Sequence, residues 1–349
     1  MIYTLTLNPT IDHTLTIDAF AAGGTFKAAH ATRQPAGKGI NVARVAATLG
    51  EPVVALGLVG EEDASAFAAS LKSAGIENGL LPTPGGTRIS VTILDPQGET
   101  ETHVREPGRA PPDEALAEVR ARLERLSDGD WVVLSGSLPP GMAPGAYRDL
   151  IRACAARGAR TCLDANGAPL LAGIEGPPAL LKVNLFELWQ VDEGRAEVQA
   201  ERGWDVALPE LLAAARRLQA RGVETVVVTL GERGAIGVGP SGQAWHARTR
   251  LDRPVVDAVG SGDAMGAGLV VGLARGGPLE RALRLGVACG AANALLAGAG
   301  RCRRQEIERL DERAVVRSLP SFTEMLDGLH QQLWTDPDAW LEEERSSWD

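Results

Sequence analysis

Short apolar segments recur along the chain, and segments with helical periodicity separate them. The apolar segments, several of them almost without polar residues, predict strands: YTLTL, VVALGLVG, WVVLSGS, RTCLDAN, ALLKVN and TVVVTLG. Helices are predicted between them at Asp113–Leu126, Gly145–Arg157 and Leu208–Arg221. Because strands that are apolar on both faces need cover on both faces, this alternation predicts an α/β fold with a mostly parallel central sheet between two layers of helices.

Polar and glycine-rich segments follow the predicted strands. They are NPTID, SGSLPPG, DANG, VNLFE and TLGERG. In open parallel sheets ligands bind beyond the carboxyl ends of the strands, so we expect the functional site at these segments.

Two regions, within about residues 12–35 and 86–108, alternate polar and apolar residues with a period of two. In the second, Arg88, Ser90 and Thr92 fall on one face and the intervening residues on the other. This pattern predicts a small, half-exposed antiparallel sheet inserted into the α/β body. We expect it to act as a lid over the strand ends; an edge decoration is the alternative.

Composition excludes several classes of protein. A net charge of −10 argues against a nucleic-acid-binding protein, which usually presents a basic surface. The four cysteines form no CxxC pair, which argues against a zinc site or a disulfide framework. The first residues carry no basic segment of the kind that opens a signal peptide, and the uncharged stretch 285–300 is too short to cross a bilayer. We therefore expect a cytoplasmic protein without membrane or nucleic-acid partners.

The segment DAVGSGDAMGAG, residues 257–268, combines a glycine-rich turn with a carboxylate. Backbone N–H groups at the start of a helix bind phosphate, yet Asp263 follows the Gly-Ser-Gly turn directly and would repel it. The carboxylate is therefore expected to act on a different group. The glycine spacing GxGxxxG misses the dinucleotide fingerprint by one residue, and AGKGIN lacks the glycine and hydroxyl residue of a Walker A loop.

Lysine is rare in this chain, which has 31 arginines and four lysines. Three of the four, Lys27, Lys38 and Lys182, lie in the regions described above. A lysine retained in an arginine-rich chain indicates a site that needs a compact point charge.

Seven motifs in order resemble those of the ribokinase-like, PfkB-type sugar kinases: NPTID, AGKGINVARVAATLG, TRISV, SGSLPPG, VNLFEL, TLGERGA and DAVGSGDAMGAG. Departures at Ala36, Val183, Ala258 and Ser261 are small or conservative. The resemblance covers residues 1–317, which we expect to form one ribokinase-like three-layer α/β/α kinase domain. Residues 318–349 are a C-terminal extension without counterpart.

For the phosphoryl-transfer side, the resemblance implies ATP and Mg²⁺ as cofactors. Asp263 would accept the proton of the substrate hydroxyl, and the loop Ala258, Gly260, Ser261 and Gly262 would bind the transferring phosphoryl group. Asn184 and Glu187 would organise Mg²⁺. The remaining nucleotide-side residues implied by the resemblance are Lys182, Thr229, Gly231, Gly234 and Asn293, the last completing an adenine pocket.

For the sugar side, the resemblance implies that Asp12 hydrogen-bonds sugar hydroxyls and that Ser137 lines the same crevice. It also implies a sugar-binding loop made of Gly37, Lys38, Gly39 and Asn41. The branch of the family that the chain resembles contains 1-phosphofructokinases, tagatose-6-phosphate kinases and 6-phosphofructokinases, whose substrates already carry a phosphate. That phosphate needs cations, for which the candidates are Arg88 first, then Lys27, with His103 and Arg105 assisting.

We expect a 1-phosphofructokinase acting on fructose 1-phosphate, with the other two kinases as alternatives. A catalytically silent sugar-phosphate sensor and, more remotely, a dinucleotide oxidoreductase are candidates from other classes. The lid is expected to pair two copies into a homodimer. Trp334, Trp340 and Trp348 predict that part of the extension docks on the body or on a partner subunit, since disordered tails are poor in aromatic residues. A mobile extension is the alternative.

Overall fold

A computed structural model of the chain describes residues 1–98, 100–194 and 208–320. Within them the strands are β1 (Ile2–Thr6), β2 (Thr10–Thr16), β3 (His30–Ala36), β4 (Val53–Gly60), β5 (Glu77–Thr83), β6 (Ile89–Asp95), β7 (Thr100–Arg105), β8 (Trp131–Ser135), β9 (Arg160–Asp164), β10 (Leu180–Asn184), β11 (Thr225–Thr229), β12 (Ala235–Val238), β13 (Ala244–Arg248) and β14 (Val315–Leu319). The helices are α1 (Lys38–Thr48), α2 (Ala64–Ser73), α3 (Asp113–Leu123), α4 (Ala146–Ala155), α5 (Gly167–Gly173), α6 (Leu185–Glu193), α7 (Leu208–Ala220), α8 (Ser261–Ala274), α9 (Leu279–Ala294) and α10 (Arg304–Arg313).

The central sheet has ten strands in the order β14-β13-β12-β11-β10-β9-β8-β1-β4-β5. The seven strands from β11 to β5 pair in parallel, and β12, β13 and β14 extend one edge antiparallel. All six predicted strands lie in the parallel part, which confirms the expected α/β architecture. β14 ends two residues beyond the predicted boundary of the kinase domain.

Two hydrophobic cores lie on opposite faces of this sheet. Along β8, Val132 and Leu134 pack into one core with helices α3 to α7, while Trp131 and Val133 pack into the other with α1, α2, α8, α9 and α10. Alternate side chains of a strand thus pack into opposite cores, as the continuous apolar runs predicted. This arrangement gives the three-layer α/β/α fold.

The second sheet has four strands in the order β3-β2-β6-β7 and contains both regions predicted to form a lid. The pairs β2–β3 and β6–β7 are antiparallel hairpins, whereas β2 and β6 pair in parallel. β2 follows β1 and β6 follows β5, so both leave parallel strands of the central sheet in the same direction. The separate small sheet is confirmed, with one parallel pairing at its centre.

The three C-terminal tryptophans, and with them the predicted docking of the extension, lie outside the described residues. Among the described helices, none combines the length and the apolar character that crossing a membrane requires.

Candidate active site

The N-terminus of α8 forms the centre of the candidate site. Its N-cap, Gly260, has a left-handed φ of 82°, and a Cβ there would lie 2.6 Å from the Cβ of Ala299. Only glycine tolerates both conditions without strain. In the part of the chain that the structure describes, the N–H groups of Gly260 and Gly262 have no hydrogen-bond partner, while that of Ser261 donates to Ala258. Two free amides at a helix N-terminus are suited to bind an anion.

Asp263 lies in the first turn of α8 and is buried. Its carboxylate accepts a hydrogen bond of 2.8 Å from Nδ2 of Asn41 on α1. Burial raises the pKa of Asp263 to about 6, and Asp164 adds to the increase, while Lys38, Lys182 and the hydrogen bond from Asn41 oppose it. A carboxylate whose pKa approaches neutrality is suited to accept a proton near physiological pH.

Asn293 on α9 has a fully buried side chain. Its amide nitrogen donates to the carbonyl of Val259 at 2.8 Å and to Oγ of Ser261 at 3.3 Å, and its oxygen accepts from N–H of Gly300 at 2.9 Å. Asn293 therefore holds the glycine-rich turn against the loop that contains Ala299. Its predicted contact with adenine stays a prediction.

The N-terminus of α1 packs directly on β1, because two glycines leave room for it. Gly37 is the N-cap, with φ of 140°, and its Cβ would lie 2.8 Å from Cγ2 of Thr6. A Cβ on Gly39 would collide with Oγ1 of the same threonine. Because of this close approach, the first residue of α1, Lys38, lies at the carboxyl ends of the parallel strands.

Asp164, the last residue of β9, binds both lysines of the site. Nζ of Lys38 lies 2.9 Å from Oδ1, and Nζ of Lys182, on the neighbouring strand β10, lies 2.9 Å from Oδ2. Burial alone would raise the pKa of Asp164, but Lys182 and Lys38 together hold it below its usual value. The carboxylate is therefore charged at neutral pH.

Asn184 and Glu187 form a capping box at the start of α6. Oδ1 of Asn184 accepts from N–H of Glu187 at 2.8 Å, and Oε2 of Glu187 accepts from N–H of Asn184 at 2.9 Å. Two side chains provide few ligands for a metal ion. Mg²⁺ keeps several of its waters, however, so one carboxylate and one amide oxygen suit it. The donor chemistry therefore fits water-mediated Mg²⁺ binding, although no three-residue cluster of His, Cys, Asp or Glu occurs within the described residues.

Thr229, Gly231 and Gly234 form a tight turn after β11. N–H of Leu230 donates to the carbonyl of Gly234 at 2.8 Å, and both glycines have positive φ, 62° and 86°. A Cβ on Gly234 would collide with the carbonyl oxygen of Ala247. The turn lies at the carboxyl end of a parallel strand, and its contact with the nucleotide stays a prediction.

The lid brings several predicted sugar-side residues into register. Asp12 on β2 lies opposite Ser90 on β6, and Ser90 lies opposite Arg105 on β7. Burial raises the pKa of Asp12 to about 6, whereas Arg44, Arg88 and Arg105 oppose the increase. His103 lies on the same face of β7, and its Nδ1 is 3.1 Å from Oγ1 of Thr92.

Arg88 lies at the base of the lid, where its guanidinium donates to backbone carbonyls. Nε and Nη2 bond to the carbonyl of Asn8, Nε also to Pro9, and Nη1 to Glu106, at 3.0–3.3 Å. These contacts join the connection between β1 and β2 to the segment after β7. Binding of a sugar phosphate by Arg88 stays a prediction.

The other two sugar-side candidates differ in their surroundings. Oγ of Ser137 accepts a hydrogen bond of 3.2 Å from Nδ2 of Asn8, which places it beside the start of the lid. Lys27 is exposed in the loop between β2 and β3, and the structure gives it no contact with the other candidate residues it describes.

Four residues of the site were missed by the sequence analysis: Asn8, Arg44, Asp164 and Asp257. Asp164 lies in the motif DANG, but its partners are distant in sequence. Arg44 donates to the carbonyl of Pro35 and its charge acts on Asp12, while Asp257 accepts from N–H of Val259 and of Gly298. Their positions in the sequence could have identified three of them. Asn8 and Asp164 lie in polar segments that follow predicted strands, and Asp257 begins the segment of the glycine-rich turn.

The chain is similar to proteins of known sequence and structure. A family model described as pfkB family carbohydrate kinase matches residues 5–306. The chain is 32% identical over 294 residues to 1-phosphofructokinase of Bacillus subtilis, covering 84% of this chain and 92% of that protein. It is 35% identical over 318 residues to ATP-dependent 6-phosphofructokinase isozyme 2 of Mycobacterium tuberculosis, covering 90% and 89% respectively. The crystal structure of phosphofructokinase-2 from Escherichia coli in complex with potassium superposes with a TM-score of 0.80 at 27% identity, over 89% of this chain and 98% of that one.

Proposed function

This chain belongs to the PfkB family of carbohydrate kinases, and we propose that it transfers the γ-phosphoryl group of ATP to the 6-hydroxyl of fructose 1-phosphate. The observation that carries the proposal is the buried carboxylate of Asp263 beside the free amides of Gly260 and Gly262 at the N-terminus of α8. A base for the hydroxyl and donors for the phosphoryl oxygens are the two groups that such a transfer needs side by side.

In the proposed mechanism, the sugar hydroxyl donates its proton to Asp263 as its oxygen attacks the γ-phosphorus of ATP. The bond between that phosphorus and the bridging oxygen breaks, and ADP leaves with the electron pair. The amides of Gly260 and Gly262 stabilise the charge on the equatorial oxygens. Asn41 orients the base through its 2.8 Å hydrogen bond.

Mg²⁺, held through water by Asn184 and Glu187, would neutralise part of the triphosphate charge. The capping box fixes both side chains at the start of α6. Asn184 is the last residue of β10, the strand that also carries Lys182. The turn Thr229 to Gly234 and Asn293 complete the proposed nucleotide side.

On the proposed sugar side, Asp12 accepts hydrogen bonds from sugar hydroxyls, and the loop from Gly37 to Asn41 approaches the ring closely. Ser137 lines the same crevice. The existing phosphate is bound by cations of the lid, for which Arg88, Arg105, His103 and Lys27 are the candidates. Arginine offers a two-pronged contact to phosphate.

The choice of fructose 1-phosphate rests on the motifs AGKGIN and TRISV and on similarity to 1-phosphofructokinases, including that of Bacillus subtilis. The Mycobacterium tuberculosis relative makes 6-phosphofructokinase the second candidate, and tagatose-6-phosphate kinase is a third. A cytoplasmic location and a homodimer formed through the lid belong to the same proposal.

Steady-state kinetics with fructose 1-phosphate, fructose 6-phosphate and tagatose 6-phosphate tests the substrate. We expect kcat/KM for fructose 1-phosphate to exceed both others by at least about tenfold, or ~1.4 kcal/mol of transition-state stabilisation, because the two ends of the sugar are held differently. The two fructose phosphates yield the same bisphosphate, so rates and not products must be compared. A preference for either other sugar would replace the proposed substrate, and turnover of none would overturn the proposed function.

A further inference from the structure

Asp164 is buried, and each of its carboxylate oxygens lies 2.9 Å from a different lysine ammonium. The two lysines come from different parts of the fold: Lys38 opens α1, which leads out of the lid, and Lys182 lies on β10, which leads into the capping box. One carboxylate therefore links the sugar side of the crevice to the nucleotide side.

The ammonium of Lys182 lies next to the turn that is proposed to bind the phosphoryl group, and that of Lys38 is near enough for its charge to act on Asp263. A Cβ on Gly262 would be 3.7 Å from Nζ of Lys182, so this ammonium lies against the first turn of α8. Lys38 keeps 36% of its side chain exposed, against 5% for Lys182, so Lys38 is the one that faces the opening of the crevice. The charges of both lysines also act on Asp263.

Each ammonium retains hydrogen-bonding capacity. Throughout residues 1–98, 100–194 and 208–320, Asp164 is the one side chain that hydrogen-bonds or ion-pairs with either lysine. Lys38 donates one of its three N–H groups to Oδ1 of Asp164 and has two left for a ligand. The 2.9 Å contact of Lys182 with Oδ2 is an ion pair that lacks hydrogen-bond geometry, so it does not use up the N–H groups of Lys182.

Two ammonium groups this close repel each other, and one of them is almost without contact with water. A buried charge without a partner is costly, so Lys182 needs the carboxylate in order to stay charged. The same carboxylate offsets the repulsion between Lys182 and the half-exposed Lys38. With Asp164 ionised, the three side chains carry a net charge of +1 beside the amides of Gly260 and Gly262. A phosphoryl group in transfer spreads negative charge over three oxygens and is the ligand that this arrangement fits.

We propose that Asp164 is a positioning residue that holds Lys38 and Lys182 as a pair of cations for the phosphoryl group in transfer. Lys38 then acts on that group, and not on the sugar, to whose binding loop the resemblance assigned it. This inference rests on the proposed kinase function.

The first experiment separates the two roles of Lys38. In Lys38→Met, a contact to the phosphoryl group in transfer predicts a loss of about 100-fold in kcat with the sugar KM within about threefold. A contact to sugar hydroxyls predicts the reverse, a raised sugar KM with kcat retained, and that result would overturn the proposal.

The second experiment tests whether Asp164 acts through Lys38. We expect Asp164→Asn to lower kcat about as strongly as Lys38→Met, and the double variant to be no slower than the slower single variant, because both remove the same interaction. Losses that multiply in the double variant would overturn the proposal. Asp130→Asn is the matched control: Asp130 is also buried and ion-paired, 3.1 Å from the N-terminal amine, but precedes β8 at the opposite end of the sheet. It should retain kcat within about twofold.

All variants are measured with the phosphosugar that the wild-type protein uses best, after thermal unfolding has shown that they fold. Absence of wild-type turnover with every phosphosugar would be a failure of the proposed function. Failure of the inference appears instead when the wild-type enzyme is active. It is a raised sugar KM with retained kcat in Lys38→Met, or losses of kcat that multiply in the double variant. Should Asp164→Asn not fold, the response of the sugar KM and kcat in Lys38→Met still decides against or for the proposal.

Discussion

Asp12 and Asp263 are both carboxylates that need to be ionised for their proposed roles, and burial raises the pKa of each to about 6. An acid whose pKa is raised is protonated at a higher pH than usual, so both roles are lost as the pH falls through 6. This property makes the acid side of the pH profile informative about two named residues.

We expect kcat/KM for the phosphosugar to be level between pH 7 and 8 and to fall below about pH 6. Because two groups must lose a proton, the slope of log(kcat/KM) against pH should approach two on the acid side. Asp12→Asn removes one of these groups, so its activity should be lower and its slope should be one. Steady-state rates measured from pH 4.5 to 8 check this. A profile that stays level to pH 4.5 would show that neither carboxylate has the raised pKa assigned to it.

At the scale of single residues, the sequence predicted which segments approach the site but not how their side chains pair. Asp263 could be singled out because a carboxylate directly after a glycine-rich turn conflicts with simple phosphate binding. Asp164 could not, because its partners lie 126 and 18 positions away and meet it only through the order of strands β8, β9 and β10. The capping bonds between Asn184 and Glu187 were also hidden, although their spacing of three residues is typical of a capping box.

At the scale of elements, α8 is positioned by the contact between its N-cap and the loop after α9. Gly260 needs both a left-handed backbone and the absence of a side chain, since Ala299 fills the space where a Cβ would be. Asn293 also holds the N-cap turn against this loop, because it donates a hydrogen bond to the carbonyl of Val259 and accepts one from N–H of Gly300. Any side chain at position 260 must therefore displace the turn whose amides are proposed to bind the phosphoryl group.

We expect Gly260→Ala to lower kcat by at least about tenfold, because it displaces oxyanion-type donors, and to lower the free energy of unfolding by about 1–3 kcal/mol. Gly276→Ala is the matched control: Gly276 follows α8, has φ of 74°, and a Cβ there would meet nothing within 4 Å. The control should share the cost of the left-handed backbone and keep its kcat. Equal kcat in the two variants would contradict the role assigned to the turn.

The pattern of elements was predicted best where periodicity is unambiguous. Continuous apolar runs identified β4 to the residue, and the period of two identified both hairpins of the lid. The parallel pairing of β2 with β6 could not be predicted, because it depends on the direction in which both leave the central sheet. The antiparallel edge of β12 and β13 has short strands of four and five residues, too short to show a period.

At the scale of the whole molecule, the two faces of the small sheet differ in character. Asp12 and Arg105 lie on one face, which is proposed to line the crevice. The opposite face carries apolar residues together with His13 and Arg33. Of its apolar residues, Ile11 packs against one of the hydrophobic cores, Leu15, Ile89, Val91 and Ile93 are half-buried, and Val104 is 58% exposed. The homodimer stays a prediction, and we expect the exposed apolar side chain of Val104 to lie in its contact.

We expect the wild-type protein to be a dimer by light scattering at micromolar concentration and Val104→Asp to be a monomer, because a buried, unpaired carboxylate opposes association. Val255→Asp is the matched control, since Val255 is 57% exposed but lies outside the lid. It should leave the dimer intact. A monomeric wild-type protein, or equal effects of both substitutions, would exclude pairing through the lid.

The central claim is that Asp263 accepts the proton of the sugar hydroxyl while the start of α8 binds the phosphoryl group. The most direct test is kcat of Asp263→Asn with saturating phosphosugar and MgATP, together with the dissociation constant of ATP. Asparagine keeps the shape and can still accept the hydrogen bond from Asn41, so the fold and the ATP affinity should be retained. Loss of a general base predicts a fall in kcat of about 10²–10⁴. A kcat within a few-fold of the wild-type value would contradict the account.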